Sequence, residues 1–341
     1  MYSQDAPFAV QIELVEGCTL SCEFCGINGI REKPGNYKAM PIELVTTVAQ
    51  RLREAVDDDG WNPRIEFAMH GEPSMHPELT EAIAIFRDWL PKQSLMMLSN
   101  GSGLLKGDPT DRINALFAAG LNCLGLDAYE HVPLVPRIRA AYRGPVPVYD
   151  YPAQKEHSVH VNHARGTRKV VILQDIVKAA EGNHAALNTH CGGGMKPPDG
   201  LPVAKRCAKP FRELAIRWDG NVALCCNDFR GIYKVGNVAD GTIDDLWQSE
   251  PFMAARRKLM VKDRSFGPCQ WCNATSMRVG LLPDKMGQRP MDAPLPSDDL
   301  VIEQACAGDS YTPPVRRAWE ADTAHFNVQP GVVYPLNLHK T

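Results

Sequence analysis

Three cysteines in one short loop are the residues of this chain best suited to chemistry. Cys18, Cys22 and Cys25 follow an alternating apolar run, residues 10–14, that predicts a buried strand. Thiolates at this spacing hold an iron–sulfur cluster or a zinc ion, because soft sulfur ligands select those metals. A structural zinc site would want one more local cysteine, and none follows before Cys123. Three thiolates on a four-iron cluster leave one iron open for a small molecule; a partial zinc knuckle or a chance cluster is the alternative.

A second set of cysteines lies in the C-terminal half of the chain. Residues 214–226 predict a β-hairpin that turns at Asp219-Gly220. One cysteine precedes this hairpin, one stands at its end and a distant pair closes the segment; they are Cys207, Cys225, Cys269 and Cys272. Such an arrangement can bring four thiolates together. Tetrahedral zinc is the alternative to a cluster here, since zinc ribbons look similar.

Polar groups also stand where the predicted strands end. His70-Gly71-Glu72-Pro73 follows the second strand, Ser99-Asn100-Gly101 follows the third, and Asp127 ends the fourth. The glycine of the first segment lets the backbone approach a ligand closely, and its glutamate can accept a hydrogen bond from an ammonium group. Taken alone, that segment is better explained as an ordinary strand-to-helix turn, in which glycine and proline are common.

The spacing of the first three cysteines, with the aromatic Phe24 before the last of them, resembles the signature of the radical S-adenosylmethionine enzymes. The resemblance implies a [4Fe-4S] cluster on Cys18, Cys22 and Cys25, whose open iron is chelated by the methionine part of S-adenosylmethionine. It further implies that the reduced cluster cleaves this cofactor to a 5′-deoxyadenosyl radical, which abstracts hydrogen from a substrate.

Three further segments resemble elements of that family. His70-Gly71-Glu72-Pro73 is similar to its Gly-Gly-Glu-Pro element, which binds the amino group of S-adenosylmethionine, although His70 stands where many members have glycine. The family also has characteristic segments at the ends of its later strands. The ends of the third and fourth predicted strands, and the turn at residues 162–166, are similar to those segments. The cofactor contacts implied by the resemblance are Phe24, Gly71, Glu72, Pro73, Asn100, Asp127 and Arg165. For Arg165 a solvated turn position is the alternative.

The second cysteine set resembles the twitch domain, a shortened relative of the SPASM domain. That resemblance implies an auxiliary [4Fe-4S] cluster with four ligands: Cys207, Cys225, Cys269 and Cys272. Cys226 is then an extra thiol beside a ligand. Asp228 follows the auxiliary ligands and is, with Arg165, a candidate for substrate binding or proton transfer; capping the hairpin is the alternative role for Asp228. The cysteines expected to be structural are Cys123, Cys191 and Cys306.

The elements that must position these residues alternate between short apolar runs and amphipathic stretches. Beyond the first strand, strands are predicted at residues 64–69, 94–99, 121–126, 146–151 and 157–162, and helices at residues 41–56, 77–90 and 111–119. This order predicts a parallel sheet with helices outside it and functional loops at the carboxyl ends of the strands. We therefore predict an α/β fold, a partial (β/α)6-type barrel, followed by a small α+β domain with a β-hairpin and a helix at residues 242–247.

Four regions are expected along the chain. They are a barrel core at 1–180, a linker or substrate loop at 181–206, an auxiliary cluster domain at 207–275 and a proline-rich extension at 276–341.

The composition is ordinary for a soluble enzyme. The 341 residues are 44% apolar and 23% charged, and the net charge of −3 offers no basic surface for nucleic acid. No signal peptide is visible and no apolar run is long enough to span a membrane. Eleven cysteines, mostly in ligand-like clusters, fit a reducing cytoplasm with metal centres better than a secreted disulfide scaffold.

The favoured function is oxidation of a small molecule, because a fully ligated auxiliary cluster can take the electron left after hydrogen abstraction and deprotonation. This resembles the twitch-domain alcohol dehydrogenases and, more remotely, the anaerobic sulfatase-maturating enzymes. A peptide or protein substrate is the alternative, but peptide maturases commonly carry an N-terminal recognition domain, and the first strand already begins near residue 9. A non-catalytic iron–sulfur or zinc scaffold is the alternative of another class. An electron donor such as flavodoxin or ferredoxin is the expected partner.

Overall fold

The computed structural model describes residues 6–22, 25, 37–129, 132–159, 167–174, 200–205, 207–228 and 231–274. Phe24, Arg165, Cys191 and Cys306 lie outside the described residues, as does the predicted extension at 276–341.

Eleven strands occur in the described part of the chain. In chain order they are β1 (Ala9–Ile12), β2 (Val15–Glu16), β3 (Lys38–Ala39), β4 (Arg64–Phe67), β5 (Leu95–Ser99), β6 (Cys123–Asp127), β7 (Val148–Tyr151), β8 (Lys169–Leu173), β9 (Glu213–Ile216), β10 (Asn221–Ala223) and β11 (Lys234–Asn237). Nine of them form one sheet in the order β11-β10-β9-β1-β4-β5-β6-β8-β7, and β2 and β3 form a separate antiparallel ribbon.

Six neighbouring strands of the large sheet, from β1 to β7 in its spatial order, are parallel to one another. This confirms the predicted α/β class with a partial barrel and a smaller C-terminal domain. The C-terminal hairpin of β9 and β10 also forms as predicted, turning at Asp219-Gly220. Its first strand pairs in parallel with β1, with Ala9 opposite Glu213, so the hairpin extends the barrel sheet instead of standing apart from it.

The predicted sixth strand at residues 157–162 does not form where the structure describes it: residues 157–159 are not in a strand, and residues 160–162 lie outside the described part of the chain. His157 ends a 3-10 turn, and the sixth strand of the core is β8, which lies between β6 and β7. Its Lys-Val-Val-Ile-Leu run is apolar on both faces, as expected of a strand with neighbours on both sides in a covered sheet. The position of β8 between β6 and β7 places β7 at the edge of the sheet.

Seven α-helices accompany these strands in the described residues. They are α1 (Ile42–Asp58), α2 (Leu79–Trp89), α3 (Pro109–Ala118), α4 (Leu134–Ala141), α5 (Lys209–Arg212), α6 (Ile243–Trp247) and α7 (Glu250–Met260). The helix α1 buries Val45, Val48 and Leu52, which recur at helical spacing, against the sheet core. Asp108 caps α3 by accepting the backbone N–H of Thr110 at 2.7 Å. The helix α4 was not predicted.

The two faces of the sheet differ in polarity because side chains alternate along each strand. Ile12, Phe67 and Ile216 join the apolar core beneath the helices. Residues of opposite phase form the other face, where Gln11 donates to Glu66 at 3.2 Å. This second face, which we call the concave face, therefore carries buried polar groups next to the strand ends that bear the candidate site.

The C-terminal elements pack onto the core through aromatic side chains. Trp61, which follows α1, lies edge-on to Trp247 of α6 and donates to Asp244 at 3.2 Å. The guanidinium of Arg256 lies 4.0 Å from the centre of the Trp247 ring. No helix of the described residues is long and apolar enough to cross a membrane.

Candidate active site

The first cysteine loop leaves the ribbon strand β2 at the carboxyl end of β1. Cys22 is buried, while Cys18 and Cys25 are half-buried. A backbone hydrogen bond from Cys25 to the carbonyl of Cys22, at 3.0 Å, closes the turn between them. The three predicted ligands therefore share one compact loop at the functional edge of the sheet.

Gly71 and Glu72 hold this loop from the end of β4. A β-carbon on Gly71 would stand 1.6 Å from the carbonyl oxygen of Val15, so only glycine fits there. The backbone N–H of Glu72 donates to the carbonyl of Gly17 at 2.8 Å, one residue before Cys18. The segment that was predicted to bind S-adenosylmethionine thus also fixes the backbone of the cysteine loop.

The Glu72 carboxylate is buried and ties the ends of two strands together. It accepts the backbone N–H of Asn100 at 2.7 Å and the hydroxyl of Ser99 at 2.5 Å. It also caps the 3-10 turn Pro73–Met75 by accepting the N–H of Ser74 at 3.0 Å, with Pro73 buried at the start of that turn. Burial raises the pKa of Glu72, and these hydrogen bonds oppose that rise. Each carboxylate oxygen can accept more than one bond, so Glu72 retains capacity for a ligand ammonium.

Asn100 reaches the first cysteine directly. Its side-chain N–H lies 3.4 Å from the Sγ atom of Cys18, and its Oδ1 atom accepts the backbone N–H of Ser102 at 2.8 Å. Thr19 and Ser102 also share a hydrogen bond through their hydroxyls. The predicted cofactor residue Asn100 therefore acts on a predicted cluster ligand.

Asp127 ends β6, and Tyr129 follows it two residues later; both lie close to the same loop. Burial, followed by the charge of Glu72, raises the pKa of Asp127 to about 7, and a hydrogen bond from Tyr129 opposes the rise. Burial, then Asp127 and the three thiols of the first loop, raise the pKa of Tyr129. All three cysteines thus lie within electrostatic reach of one phenol. Sequence reasoning missed Tyr129, whose one clue was its place two residues after a predicted strand end.

The four cysteines of the second set also come together. Cys207, Cys225, Cys269 and Cys272 are all buried. Burial is the main cause that raises the pKa of Cys269, and the thiols of Cys207 and Cys272 add to it. Burial, Cys226 and then the thiols of Cys207 and Cys269 raise the pKa of Cys225. Buried thiols so close to one another ionise readily only when a positive group lies among them, and metal ions supply that charge.

The four buried thiols of the second set could hold either of two kinds of metal centre. Tetrahedral zinc takes its sulfurs at about 2.3 Å from one point. A four-iron cluster offers a separate iron to each thiolate. In the described residues no three Cys, His, Asp or Glu side chains are placed to hold a single metal ion. Metal analysis of the anaerobic protein distinguishes the two.

Cys226, the extra thiol, is fixed on the concave face. Its sulfur lies 3.1 Å from the Nζ atom of Lys209 and 3.7 Å from Glu213. Burial raises the pKa of the Cys226 thiol to about 11, which the Lys209 ammonium partly opposes. Lys209 and Glu213 form an ion pair at 3.1 Å. The contact gives Cys226 a packing role beside the auxiliary cysteines.

Asp228 is fully buried and binds backbone groups. Its two carboxylate oxygens accept the N–H groups of Ile232 and Tyr233, each at 2.9 Å. These bonds close the turn after the hairpin, as in the capping role considered for Asp228. Burial raises the pKa of Asp228, and those backbone bonds oppose it.

A cavity of about 750 Å³ opens between the β2–β3 ribbon and the hairpin. Its lining includes Glu16, Lys38, Arg217, Trp218 and Tyr233. Glu16 accepts from Lys38 at 2.8 Å and from Arg217 at 2.5 Å, so ion pairs form part of the wall. A second cavity, of about 610 Å³, lies between α2 and α3, and no described cysteine lines either cavity.

Comparisons with known proteins agree with this geometry. Residues 207–273 match the SPASM family, an iron–sulfur cluster-binding domain. Over 277 residues the chain is 23% identical to the S-adenosyl-L-methionine-dependent 2-deoxy-scyllo-inosamine dehydrogenase of Niallia circulans, a match that covers 79% of this chain and 94% of that protein.

Two crystal structures of BtrN share the fold. The complex with AdoMet and 2-DOIA matches with a TM-score of 0.57 at 19% identity, covering 81% of this chain and 97% of that chain. The open form matches with a TM-score of 0.52 at 19% identity, covering 78% and 92%. These findings confirm the resemblance drawn from the two cysteine sets.

Proposed function

We propose that this radical S-adenosylmethionine protein, with its SPASM auxiliary iron–sulfur domain, oxidises a small molecule. One observation carries the proposal: a three-cysteine loop and an enclosed four-cysteine set lie on the same continuous sheet, whose strands β1 and β9 are direct neighbours. The first set is suited to starting radical chemistry and the second to receiving an electron.

Cys18, Cys22 and Cys25 hold the first [4Fe-4S] cluster in this proposal. When bound, that cluster and S-adenosylmethionine supply a 5′-deoxyadenosyl radical that takes a hydrogen atom from a substrate carbon. Asn100 donates a hydrogen bond to the Cys18 sulfur, which stabilises negative charge on the thiolate. Glu72 stands one strand away with carboxylate capacity left for the amino group of the cofactor.

Cys207, Cys225, Cys269 and Cys272 hold the auxiliary [4Fe-4S] cluster. When bound, it supplies an acceptor for the electron that remains when a carbinol radical loses its proton and becomes a carbonyl. Arg264 keeps a positive charge next to this set. Burial and the neighbouring thiols raise the pKa of Cys269, and Arg264 partly opposes that rise. Its guanidinium is fixed by the carbonyl of Lys205 at 2.8 Å. An electron donor of the flavodoxin or ferredoxin class reduces the first cluster.

A small-molecule substrate is the choice that the dehydrogenase relative favours. The cavity beside Glu16 and Arg217 is large enough for one, at about 750 Å³ against roughly 300–1,000 Å³ for small-molecule sites. No cluster ligand and no proposed cofactor contact is among the described residues of its lining, so the proposal does not rest on this cavity. A peptide substrate is the alternative carried over from the sequence. The curated relative is a dehydrogenase of 2-deoxy-scyllo-inosamine, which makes aminocyclitols the first compounds to try.

The test uses anaerobically reconstituted protein with dithionite and S-adenosylmethionine. We expect about eight irons per chain, from two four-iron clusters, and formation of 5′-deoxyadenosine. Adding 2-deoxy-scyllo-inosamine should raise 5′-deoxyadenosine formation and give a ketone if aminocyclitols are substrates. Protein with full iron content that forms no 5′-deoxyadenosine would refute the proposal, and about one zinc with half the iron would refute its auxiliary cluster.

A further inference from the structure

His70 links the two cysteine sets. The ring is buried, and its Nδ1 atom lies 3.1 Å from Oε1 of Glu13, just beyond β1. Its Nε2 atom is hydrogen-bonded to the backbone carbonyl of Cys226. Met69, immediately before it, adopts a φ of +90°, a conformation that non-glycine residues rarely adopt and that turns the chain here.

The chemistry of these partners defines what His70 must do. A backbone carbonyl only accepts hydrogen bonds, so Nε2 carries a proton in this contact. Glu13, at the other ring nitrogen, also receives the backbone N–H of Trp218 at 3.4 Å and lies 3.7 Å from Arg217. The ring is therefore held from both sides, by a side chain just beyond β1 and by the peptide of Cys226. A glutamine can make one of these bonds, and a glycine neither.

The peptide that His70 holds is the one that carries a proposed auxiliary ligand. Cys226 directly follows Cys225, and its sulfur is anchored at the other side by Lys209 at 3.1 Å. The peptide is therefore fixed twice on the concave face, by its side chain and by its carbonyl. The next two residues after His70, Gly71 and Glu72, contact the backbone of the first cysteine loop. One stretch of three residues thus touches both sites.

We propose that His70 is a positioning residue that fixes the auxiliary ligand segment, residues 225–228, relative to the first cysteine loop. The inference rests on the proposed function. A hydrogen bond that orients the ligand segment of a cluster tunes its potential, and a donor near the cluster favours its reduced form. In this chain the histidine that replaces the family's glycine therefore makes the auxiliary site a better electron acceptor.

The experiment compares three variants of the anaerobic holoprotein. His70→Gly restores the residue of many relatives, and His70→Gln retains one donor. His76→Gln is the matched control, because His76 is another buried histidine of the same loop whose partners are the Met40 carbonyl, at 2.8 Å, and the Glu78 N–H, at 3.1 Å. The first readout is hydrogen–deuterium exchange of the amides in residues 225–228. The second is the midpoint potential of the auxiliary cluster, measured by electron paramagnetic resonance with Cys18, Cys22 and Cys25 replaced by alanine.

In the His70→Gly variant we expect exchange at residues 225–228 to rise at least tenfold. We also expect the reduced auxiliary cluster to be about tenfold less favoured, a shift of about 59 mV to a more negative potential for a one-electron couple. Formation of 5′-deoxyadenosine should stay within about twofold of the parent. Added imidazole should restore the potential in His70→Gly, and His70→Gln should lie between the two.

Unchanged exchange and potential in His70→Gly would overturn the inference. Equal changes in His76→Gln, or loss of iron from both sites in His70→Gln, would also overturn it. Either result would show that His70 only supports folding in general. The exchange measurement tests the contact whatever metal the cysteines hold. A failure of the proposed function, seen as no 5′-deoxyadenosine in the parent, is therefore distinguishable from a failure of this inference.

Discussion

Gly71 lies so close to Val15 that a β-carbon on the glycine would stand 1.6 Å from the valine carbonyl oxygen. The contact is between two backbones, and neither can be relieved by turning a side chain. The strand end that bears Glu72 and the ribbon that leads into Cys18 are therefore packed backbone to backbone, and a change at Gly71 must displace the ribbon.

Replacing Gly71 with alanine should displace the first cysteine loop. We expect a loss of about 3 kcal/mol in the free energy of unfolding, the upper part of the usual range for overpacking. Iron content should fall by about four per chain, and 5′-deoxyadenosine formation should be lost. Urea unfolding and iron analysis measure these effects. Gly60→Ala is the control: nothing lies within 4 Å of its added carbon, although its φ of +71° makes alanine unfavourable by roughly 1–2 kcal/mol. Equal iron loss in both variants would contradict the prediction.

Removing the auxiliary thiols should distinguish the role of the auxiliary cluster from that of the first cluster. We expect the quadruple alanine variant of Cys207, Cys225, Cys269 and Cys272 to lose about four irons and to keep 5′-deoxyadenosine formation while losing oxidised product. The triple alanine variant at Cys18, Cys22 and Cys25 should lose about four irons and all 5′-deoxyadenosine. Cys123→Ala is the control, because Cys123 lies on β6 among apolar residues. An iron content that does not respond to the quadruple change would argue against an auxiliary cluster.

Asn100→Asp should lower the reduction potential of the first cluster. The aspartate keeps an oxygen for the backbone of Ser102 but removes the N–H that points at the Cys18 sulfur, 3.4 Å away, and adds negative charge. Loss of a hydrogen bond worth about 1 kcal/mol corresponds to roughly 40 mV for one electron, so we expect at least that shift to more negative potential. Redox titration followed by electron paramagnetic resonance measures it, with Asn114→Asp on α3 as the control. A shift to more positive potential would show that the contact does not act on the cluster.

Asp127 should make the protein less stable as the pH rises. Its pKa is raised to about 7 by burial and by Glu72, whereas in the unfolded chain it ionises near 3.8. Below pH 3.8 the carboxyl is protonated in both the folded and the unfolded state, so it does not change the free energy of unfolding. Between pH 3.8 and about 7 it ionises only in the unfolded state, so stability falls as the pH rises towards 7. After allowance for partial solvent exposure, we expect on the order of 1.5 kcal/mol less stability at pH 8 than at pH 5 from this group.

The Asp127→Asn variant isolates that effect. Its free energy of unfolding should change less between pH 5 and pH 8 than that of the parent, by the same amount. Asp150→Asn is the control, because its hydrogen bonds to Arg139 and Gln174 hold the pKa of Asp150 below its usual value, outside this pH window. Identical pH dependence in the parent and Asp127→Asn would mean that the carboxyl ionises normally.

The elements that depend on a few neighbouring residues were predicted correctly from the sequence. The helix α1 and the hairpin turn at Asp219-Gly220 were predicted because their spacing and turn residues act over a few positions. The run of β8 was missed although, like the predicted strand β5, it is a continuous apolar run, because such a run does not by itself show that the segment joins the sheet. Its neighbours in space, β6 and β7, are set by tertiary pairing that no local pattern encodes.

The same distinction applies to the site. The cysteines were predictable from their spacing, and the structure brings each set together. The contacts of His70 with Glu13 and Cys226 were not, because they join residues 57 and 156 positions apart in the sequence. The histidine itself was visible as a departure from the family's glycine. What it touches could be learned only from the way the sheet brings β1, β4 and the hairpin together.

The place of β1 in the sheet has a consequence for how the chain is made. This strand pairs with β4 on one side and with β9 on the other, and about 200 residues separate it from β9. At a synthesis rate of roughly 5–20 residues per second, one edge of β1 waits about 10–40 s for its partner to leave the ribosome. Throughout that interval the nascent chain exposes an unpaired strand edge close to the three unligated thiols of the first cysteine loop. Production of active protein should therefore depend on the supply of chaperones and of iron–sulfur assembly factors during translation, and chains truncated before residue 213 should aggregate.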